Sequence, residues 1–311
     1  MALNNILMFL ALTGIYEPSA IQQLPDGRFL VVEDEQQHPF SLLSMSANGR
    51  HSSSPLTPGL LTRLLDLDES FWKLDDLEGL ALDKSGYLYA ITSHSRNSDG
   101  DDKKARNKLV RFRIEGDRVV KPQVAGGLKP ALLAKHPVLA TAAEIRDVKK
   151  GGGFNIEALE MSPDPQRLLI GFRSPLLDNR AIIASVENPA ALFDANEPPR
   201  VSATLTTLDL GGHGIRGMSY IPALNGYLII SGPVSREPAQ FQLWFWNDRP
   251  GAQARRVSVP GLEGFAHAEG VSPAVIDGRQ HIIIVSDDGS RKEGRFAHFL
   301  LLEPEQLQIA P

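Results

Sequence analysis

The sequence has 311 residues, of which 42% are hydrophobic and 22% charged, as in soluble globular proteins with a sizeable core. Its formal net charge of −5 argues against a broad basic surface for DNA or RNA. The absence of cysteine excludes disulfides and thiolate chemistry.

The chain begins with an apolar run, Ile6 to Ile15. No Lys or Arg precedes this run, as a secretory signal would require, and the run is too short to cross a bilayer. We therefore favour a β-strand over a signal peptide, and we expect a cytoplasmic protein with no membrane partner.

Five segments, spaced roughly 50–80 residues apart, begin alike and are each followed by a turn and an apolar run. They are Glu17–Ile21, Glu78–Leu82, Glu157–Met161, Arg216–Tyr220 and Glu269–Pro273. A repeat of this length that is built from short strands predicts a radial β array.

Each repeat is predicted to contain further strands after its first one. Nearly continuous apolar runs after Asp-, Asn- or Gly-containing turns predict second strands at Arg28–Val32, Tyr87–Thr92, Arg167–Phe172, Tyr227–Ser231 and His281–Ser286. Third strands are predicted at Phe40–Met45, Lys108–Ile114, Ala181–Val186, Phe241–Trp246 and Arg295–Leu302. Fourth strands are predicted at Leu61–Leu67, Val138–Ile145, Ala203–Leu210 and Ala254–Val259.

The fifth repeat has no fourth strand of its own, and the N-terminal run Asn5–Thr13 can supply it. We therefore predict an all-β domain over residues 1–311, a five-bladed β-propeller whose last blade is closed by the N-terminal strand. Six blades are the alternative if the insert between Val119 and Gly153 contains another unit. That insert has no Glu-Gly motif, and it suggests a loop with a short helix around Lys129–Lys135.

Innermost strands line the channel of a propeller, so residues at equivalent positions in them form a ring around the axis. The predicted ring is Glu17, Glu78, Glu157, Arg216 and Glu269. Its carboxylates must bind a cation, share protons or pair with a positive side chain. A divalent cation such as Ca²⁺ held by the four glutamates and an ion-paired structural plug are both open interpretations.

The ends of the second strands are predicted to surround one mouth of the channel. His94, Asp287 and Asp288 are candidate acid–base residues there, although a hydrogen-bonded histidine and a turn pair of aspartates would have the same sequence. Arg96 and Arg173, together with Arg216, could bind an anionic substrate, or they could form salt bridges between blades.

Several motifs resemble those of the bacterial family catalogued as domain of unknown function 3616. They include Leu77–Ala81 with Ser93–Arg96, Phe154–Glu157, Gly171–Pro175, Gly214–Gly217, and Ala268–Val271 with Ser286–Gly289. The family resemblance extends over nearly the whole chain and implies no activity. A weaker similarity to esterase-like phytase propellers and calcium-activated apyrases implies an axial Ca²⁺ on Glu17, Glu78, Glu157 and Glu269. Arg216 departs from that pattern.

Two functions remain open from the sequence. The first is a metal-assisted hydrolase that acts on a small anionic, phosphorylated substrate at the channel mouth, with the glutamates holding the cation and His94 moving the proton. The alternative is a non-catalytic propeller that binds a protein or a ligand, in which the ring of Glu and Arg side chains is purely structural.

Overall fold

The protein, a computed structural model, is described over residues 7–65, 68–235 and 240–311. Its strands form five antiparallel sheets, which confirms the predicted five-bladed β-propeller. The N-terminal strand β1 (Leu10–Leu12) pairs with the third strand of the last sheet, with Leu10 opposite Phe299 and Leu12 opposite Ala297. The predicted closure of the last blade is therefore confirmed for these residues, whereas Asn5 and Ile6 lie outside the described ones.

The strands of the five blades follow one another along the chain. Blade 1 comprises β2 (Pro18–Gln23), β3 (Phe29–Glu33), β4 (Phe40–Met45) and β5 (His51–Pro55). Blade 2 comprises β6 (Leu77–Leu82), β7 (Leu88–Thr92), β8 (Leu109–Glu115) and β9 (Arg118–Ala125). Blade 3 comprises β10 (Asn155–Met161), β11 (Leu168–Ser174), β12 (Ala181–Val186) and β13 (Thr206–Leu208).

The last two blades also contain the two ends of the chain. Blade 4 comprises β14 (Gly214–Ile221), β15 (Gly226–Gly232), β16 (Gln242–Trp246) and β17 (Arg255–Ser258). Blade 5 comprises β18 (Ala268–Ile276), β19 (Arg279–Ser286), β20 (Ala297–Leu302) and the N-terminal β1. The C-terminal strand β21 (Gln308–Ile309) adds a fifth strand to the edge of blade 4.

Short helices lie between the blades and at their edges. They are α1 (Leu60–Leu64), α2 (Glu69–Trp72), α3 (Leu128–Lys135), α4 (Pro137–Ala143), α5 (Val148–Gly151) and α6 (Pro189–Asp194). In the described part of the chain, no helix is long and apolar enough to span a membrane.

Two of the predicted fourth strands were wrong. Helix α1 lies where Leu61–Leu67 was expected, with residues 66 and 67 outside the described ones, and the outer strand of blade 1 is the serine-rich β5. Helix α4 covers most of Val138–Ile145, while the outer strand of blade 2 is β9, which contains Pro122 as edge strands can. A short apolar run does not distinguish a buried helix from a strand.

The hydrophobic core is divided into five clusters, and each cluster lies between two neighbouring sheets. Leu12, Phe29, Val31 and Phe299, for example, pack between blades 5 and 1. The Gln23 side chain also joins these blades, because its Nε2 donates to the Val275 carbonyl at 2.9 Å and its Oε1 accepts from the Val275 amide at 2.7 Å. Packing between blades thus fixes the innermost strands around the axis.

Candidate functional site

Every innermost strand contains a β-bulge at the same place. The residues skipped by the strand pairing are Ser19, Glu78, Glu157, Arg216 and Glu269. A bulge redirects a side chain out of the regular alternation of a strand, and it therefore directs these five side chains toward the channel. We call these five residues the axial ring.

The residue after each ring position is alanine or glycine: Ala20, Gly79, Ala158, Gly217 and Gly270. A Cβ atom on Gly79 would lie 2.8 Å from the Leu159 nitrogen, and one on Gly217 would lie 1.8 Å from the Glu269 carbonyl oxygen. Neighbouring innermost strands thus approach one another so closely that only the smallest residues fit there.

The structure places Ser19 in the axial ring, where the sequence had predicted Glu17. Glu17 lies two residues earlier, at the level of Asp76 and His267, which precede their own ring residues by the same two positions. Burial, Glu35 and Glu33 raise the pKa of the half-buried Glu17. Matching the repeats on the charged residue that begins each segment had displaced blade 1 by two residues, because its ring residue is a serine and gave no acidic signal.

Arg216 neutralises two members of the axial ring. Its Nε forms an ion pair with Glu157 Oε2 at 2.9 Å, and its Nη2 donates to Glu269 Oε1. Arg173 Nη1 donates to the other Glu157 oxygen at 3.0 Å. Burial opposes the charge of Arg216, but Glu157 and Glu269 raise its pKa above the usual value. The side of the ring formed by blades 3, 4 and 5 is therefore an ion-paired plug.

The axial ring closes the channel almost completely. The void that it surrounds is about 10 Å³, which is room for roughly one water-sized sphere. Within the described ranges, no group of three or more His, Cys, Asp or Glu side chains is arranged to hold a metal ion. A guanidinium between two glutamates does not suit Ca²⁺, which takes six to eight oxygen ligands. The geometry fits the ion-paired plug better than an axial cation.

A cluster of carboxylates lies at the mouth of the channel above the plug. We call Asp34, Asp75, Asp76, Glu78 and Asp287 the acidic mouth. One guanidinium, that of Arg106, contacts two of them: its Nη2 donates to Asp76 Oδ2, and its Nη1 lies 3.6 Å from Asp75 Oδ2. In the part of the chain that the structure describes, the carboxylates of Asp34, Glu78 and Asp287 have no hydrogen-bond or ion-pair partner.

The unpaired carboxylates of the mouth have raised pKa values. Surrounding protein atoms and the charge of Asp76 raise the pKa of Asp34 to about 8, although Asp34 keeps solvent-accessible surface. Burial raises the pKa of Asp287 to about 6, with Glu17 and Glu157 adding to the effect of burial. Burial, Asp76 and Glu157 hold the pKa of Glu78 well above its usual value. Arg216 partly offsets this effect at Asp287, as Arg106 does at Asp34, but neither guanidinium pairs directly with these carboxylates. Clusters of groups with shifted pKa values are candidates for functional sites.

The backbone is unusual around the mouth. Asp76 and His267, at equivalent positions in blades 2 and 5, have φ angles of 64° and 58°. The left-handed region is uncommon for residues other than glycine, and such residues cluster at functional sites. In blade 2, the Asp76 carbonyl accepts from the Ser93 amide at 2.9 Å, which fixes the carboxyl group next to Arg106.

The predicted acid–base residues do not lie together. His94 is only 1% exposed, its Nδ1 lies 2.8 Å from the Thr92 carbonyl, and burial lowers its pKa to about 4. Asp288 accepts from Ser286 Oγ at 2.7 Å and lies 2.8 Å from His298 Nδ1, so it stabilises its own loop. Asp287 alone of the three belongs to the acidic mouth.

The predicted anion-binding arginines are bonded to protein acceptors. Arg96 donates to the carbonyls of Ala143 and Gly100, at 3.1 and 3.2 Å. Arg173 donates to Glu157 and to the Pro233 carbonyl, the latter at 3.1 Å, and Arg216 is held in the plug. Arg173 and Arg216 both contact Glu157 of the axial ring, and Arg96 contacts backbone carbonyls.

Sequence reasoning missed Asp75, Asp76 and Arg106 as members of the site. A usable signal was the alanine or glycine after each ring position, because aligning the repeats on it places Asp76, Glu17 and His267 in one layer. Asp34, which follows the second strand of blade 1, was given no role. Arg106 belongs to a short 3₁₀ turn (Lys104–Arg106) in the loop between β7 and β8, where no strand pattern indicates its position.

The acidic mouth can bind a positively charged group, and it can also donate a proton. It can bind such a group because several carboxylates share one direct guanidinium partner. The raised pKa of Asp34 also suits this carboxyl group to proton donation. An anionic substrate would meet an unfavourable electrostatic potential at this mouth.

Comparisons with known proteins give a family and distant structural relatives. The family model described as protein of unknown function (DUF3616) matches residues 127–298, more than half of the chain. No curated protein matches the chain significantly. A proposed glucose dehydrogenase of Thermus thermophilus is 16% identical, with a TM-score of 0.48 and coverage of 95% of this chain and 100% of its own.

Two further solved structures are similar over most of the chain. The PQQ-bound aldose sugar dehydrogenase of Streptomyces coelicolor is 15% identical, with a TM-score of 0.42 and coverage of 94% of this chain and 98% of its own. The periplasmic gluconolactonase of Pseudomonas aeruginosa is 12% identical, with a TM-score of 0.38 and coverage of 94% of this chain and 88% of its own. Similarities of this strength assign no activity to the chain.

Proposed function

The chain belongs to the DUF3616 family of proteins of unknown function, and we propose that it is a small-molecule-binding propeller whose acidic mouth takes a ligand with a positively charged group. The observation that carries the proposal is the set of three carboxylates without partners, Asp34, Glu78 and Asp287, around the ion-paired Asp76. A cation placed among them would add to the partial countercharge that Arg106 and Arg216 provide.

The proposed ligand is positively charged, whereas the function expected from the sequence requires an anionic substrate. Hydrolysis of a phosphorylated substrate would need free cationic groups at the mouth, and Arg96, Arg173 and Arg216 are bonded to protein acceptors. The ion-paired plug supports a structural role for the axial ring, as in the non-catalytic alternative, while the mouth above it keeps unpaired carboxylates. Binding of a cationic ligand is therefore the better-supported proposal.

A divalent metal ion is the competing cationic occupant of the same mouth. It would use the same carboxylate charge, but the described residues include no set of three ligands arranged around one point. An organic ammonium group needs only charge and hydrogen-bond acceptors at less strict distances, so this class of ligand fits the geometry better.

The proposal is tested by calorimetric titration at pH 8.5, where more of the mouth carboxyls are ionised. The probes are methylammonium, Ca²⁺, Mn²⁺ and inorganic phosphate. We expect methylammonium to bind with a Kd of about 1 mM or lower, and Glu78→Gln or Asp76→Asn to weaken binding about tenfold or more. Glu305→Gln, which changes an exposed glutamate far from the mouth in sequence, is the matched control and should bind like the wild type.

The other outcomes are equally informative. Tight Ca²⁺ or Mn²⁺ binding without methylammonium binding would assign the mouth to a metal ion and overturn the organic ligand. Phosphate binding that is tighter than methylammonium binding would overturn the charge assignment altogether.

A further inference from the structure

An apolar cleft of about 420 Å³ lies where the second strands of blades 3 and 4 end. Its walls come from helix α4 and the segment after it, from the segment after β11, and from the segment after β15. The apolar side chains that line it are Val138, Ala142, Ile145, Pro175, Leu176 and Val234. Cavities that bury small organic molecules have volumes of roughly 300–1,000 Å³ and predominantly apolar linings.

The cleft and the mouth are on the same face of the propeller. Ser174 lines the cleft and ends β11, as Ser286 ends β19 next to Asp287 of the mouth. Ser174 also pairs with Asn155, the residue two positions before the ring residue Glu157.

Arg173 links the edge of the cleft to the axial ring. The guanidinium of Arg173 donates from Nη1 to Glu157 of the axial ring and from Nε to the Pro233 carbonyl. Ser174 and Val234, the residues that follow Arg173 and Pro233, both line the cleft. The cleft therefore begins within the length of one arginine side chain from the axial ring.

The cleft and the mouth have complementary chemistry for a single molecule. The cleft offers apolar surface and no carboxylate among its lining residues, whereas the mouth offers carboxylates. We propose that the ligand is an amphipathic amine, with its ammonium group in the acidic mouth and its aliphatic or aromatic body in the cleft. This inference rests on the proposed function and adds the apolar body to it.

The test measures how affinity depends on the length of the apolar chain. Methyl-, propyl-, butyl- and hexylammonium are titrated into the full-length protein by calorimetry at pH 8.5. We expect the affinity to rise about threefold to fourfold for each methylene group that the chain places in the cleft, as for burial of an apolar chain.

Variants separate the two parts of the ligand site. Leu176→Asp, and independently Val138→Asp, should reduce the rise to less than about 1.5-fold per methylene group and leave methylammonium binding within about twofold of the wild type. Val275→Asp changes an exposed valine of blade 5 outside the cleft and should leave the whole series unchanged.

Each failure has a distinct meaning. A flat series in the wild type, with methylammonium still bound, would overturn the amphipathic ligand and leave the proposed function standing. Absence of binding by every amine would overturn both. An equal rise for the matching alkyl carboxylates would show that the cleft binds chains independently of the acidic mouth, and would also overturn the inference.

Discussion

Arg216 is the single residue that most changes the charge of the axial ring. It replaces the carboxylate found at the equivalent position of blades 2, 3 and 5, and it binds two of those carboxylates. Breaking a buried ion pair of this kind by removing one partner typically costs about 3–5 kcal/mol. The pairing leaves Glu78 as the one acidic ring residue without a partner among the described residues. Glu78 also belongs to the acidic mouth.

The raised pKa of Asp34 predicts a pH-dependent stability. Because its pKa rises from 3.8 to about 8 on folding, the proton it binds stabilises the folded state fully below pH 4, and this stabilisation is lost as the pH rises toward 8. Asp34→Asn, which cannot ionise, should raise the melting temperature by roughly 1–3 °C at pH 9 and by less at pH 5. The melting temperatures of both proteins at the two pH values give the comparison.

Asp117→Asn is the control for this measurement. The Asp117 side chain is 81% exposed in a hairpin away from the mouth, and its substitution should give no gain at pH 9. An equal gain for Asp34→Asn at both pH values would show that charge at the mouth is not the cause.

Within each innermost strand, the β-bulge and the small residue after it place one side chain in the axial ring. The bulge directs one side chain toward the axis, and the alanine or glycine allows the neighbouring innermost strand to approach. These two features together explain why every blade presents one residue to the ring while the strand alternation elsewhere buries apolar side chains between blades.

Gly217→Ala tests the close approach of the innermost strands. The new Cβ would lie 1.8 Å from the Glu269 carbonyl oxygen, which forces the strands of blades 4 and 5 apart. We expect the free energy of unfolding in urea to fall by about 1–3 kcal/mol or more. Gly264→Ala, where a Cβ would meet no atom within 4 Å, should change it by less than about 0.5 kcal/mol. Similar losses for both variants would contradict the crowding at the ring.

The elements were predictable from the sequence to different degrees. All five innermost strands and their turns follow from the repeat, because two-sided burial leaves an apolar run next to a Gly- or Asp-containing turn. The outer strands of blades 1 and 2 could not be predicted from the repeat, since β5 is serine-rich and most of β9 is exposed or only partly buried. Edge strands with one solvated face lack the pattern that identifies buried ones.

The candidate site was predictable only in part. Glu78, Glu157, Arg216 and Glu269 were correctly placed in one ring, because a repeated position in an innermost strand must recur around the axis. The partners of these residues were not predictable. The ion pairs of Arg173 and the position of Arg106 depend on loops that differ in every blade.

In the whole molecule, strand β1 closes the circle of five blades. Strand β1 completes blade 5, and Leu12 is fully buried between blades 5 and 1, whereas Leu10 on the same strand is 47% exposed. The first and last blades are thus joined by an element that is distant in sequence from the strands it pairs with.

Leu12→Ala should lower the free energy of unfolding by about 2–5 kcal/mol, because it leaves a cavity where the propeller closes. Leu10→Ala removes the same atoms from a half-exposed site and should cost less than about 1 kcal/mol. Urea denaturation of both variants makes the comparison. Equal costs would indicate that β1 does not close the ring in solution.

The closed ring also makes the two ends of the channel unequal. The plug of Glu157, Arg216 and Glu269 leaves a void of only about 10 Å³ at the axial ring, and the acidic mouth lies on one side of it. A ligand of the mouth would therefore approach Asp34 and Asp287 from that side.

The central claim is that this mouth binds positive charge, and anomalous diffraction tests it most directly. Crystals would be soaked separately in caesium chloride and in sodium bromide at pH 8.5. The account predicts a caesium peak among Asp34, Asp76, Glu78 and Asp287 in the wild type, reduced in Glu78→Gln, with no bromide there. A bromide peak at the mouth, or a mouth without caesium, would contradict it.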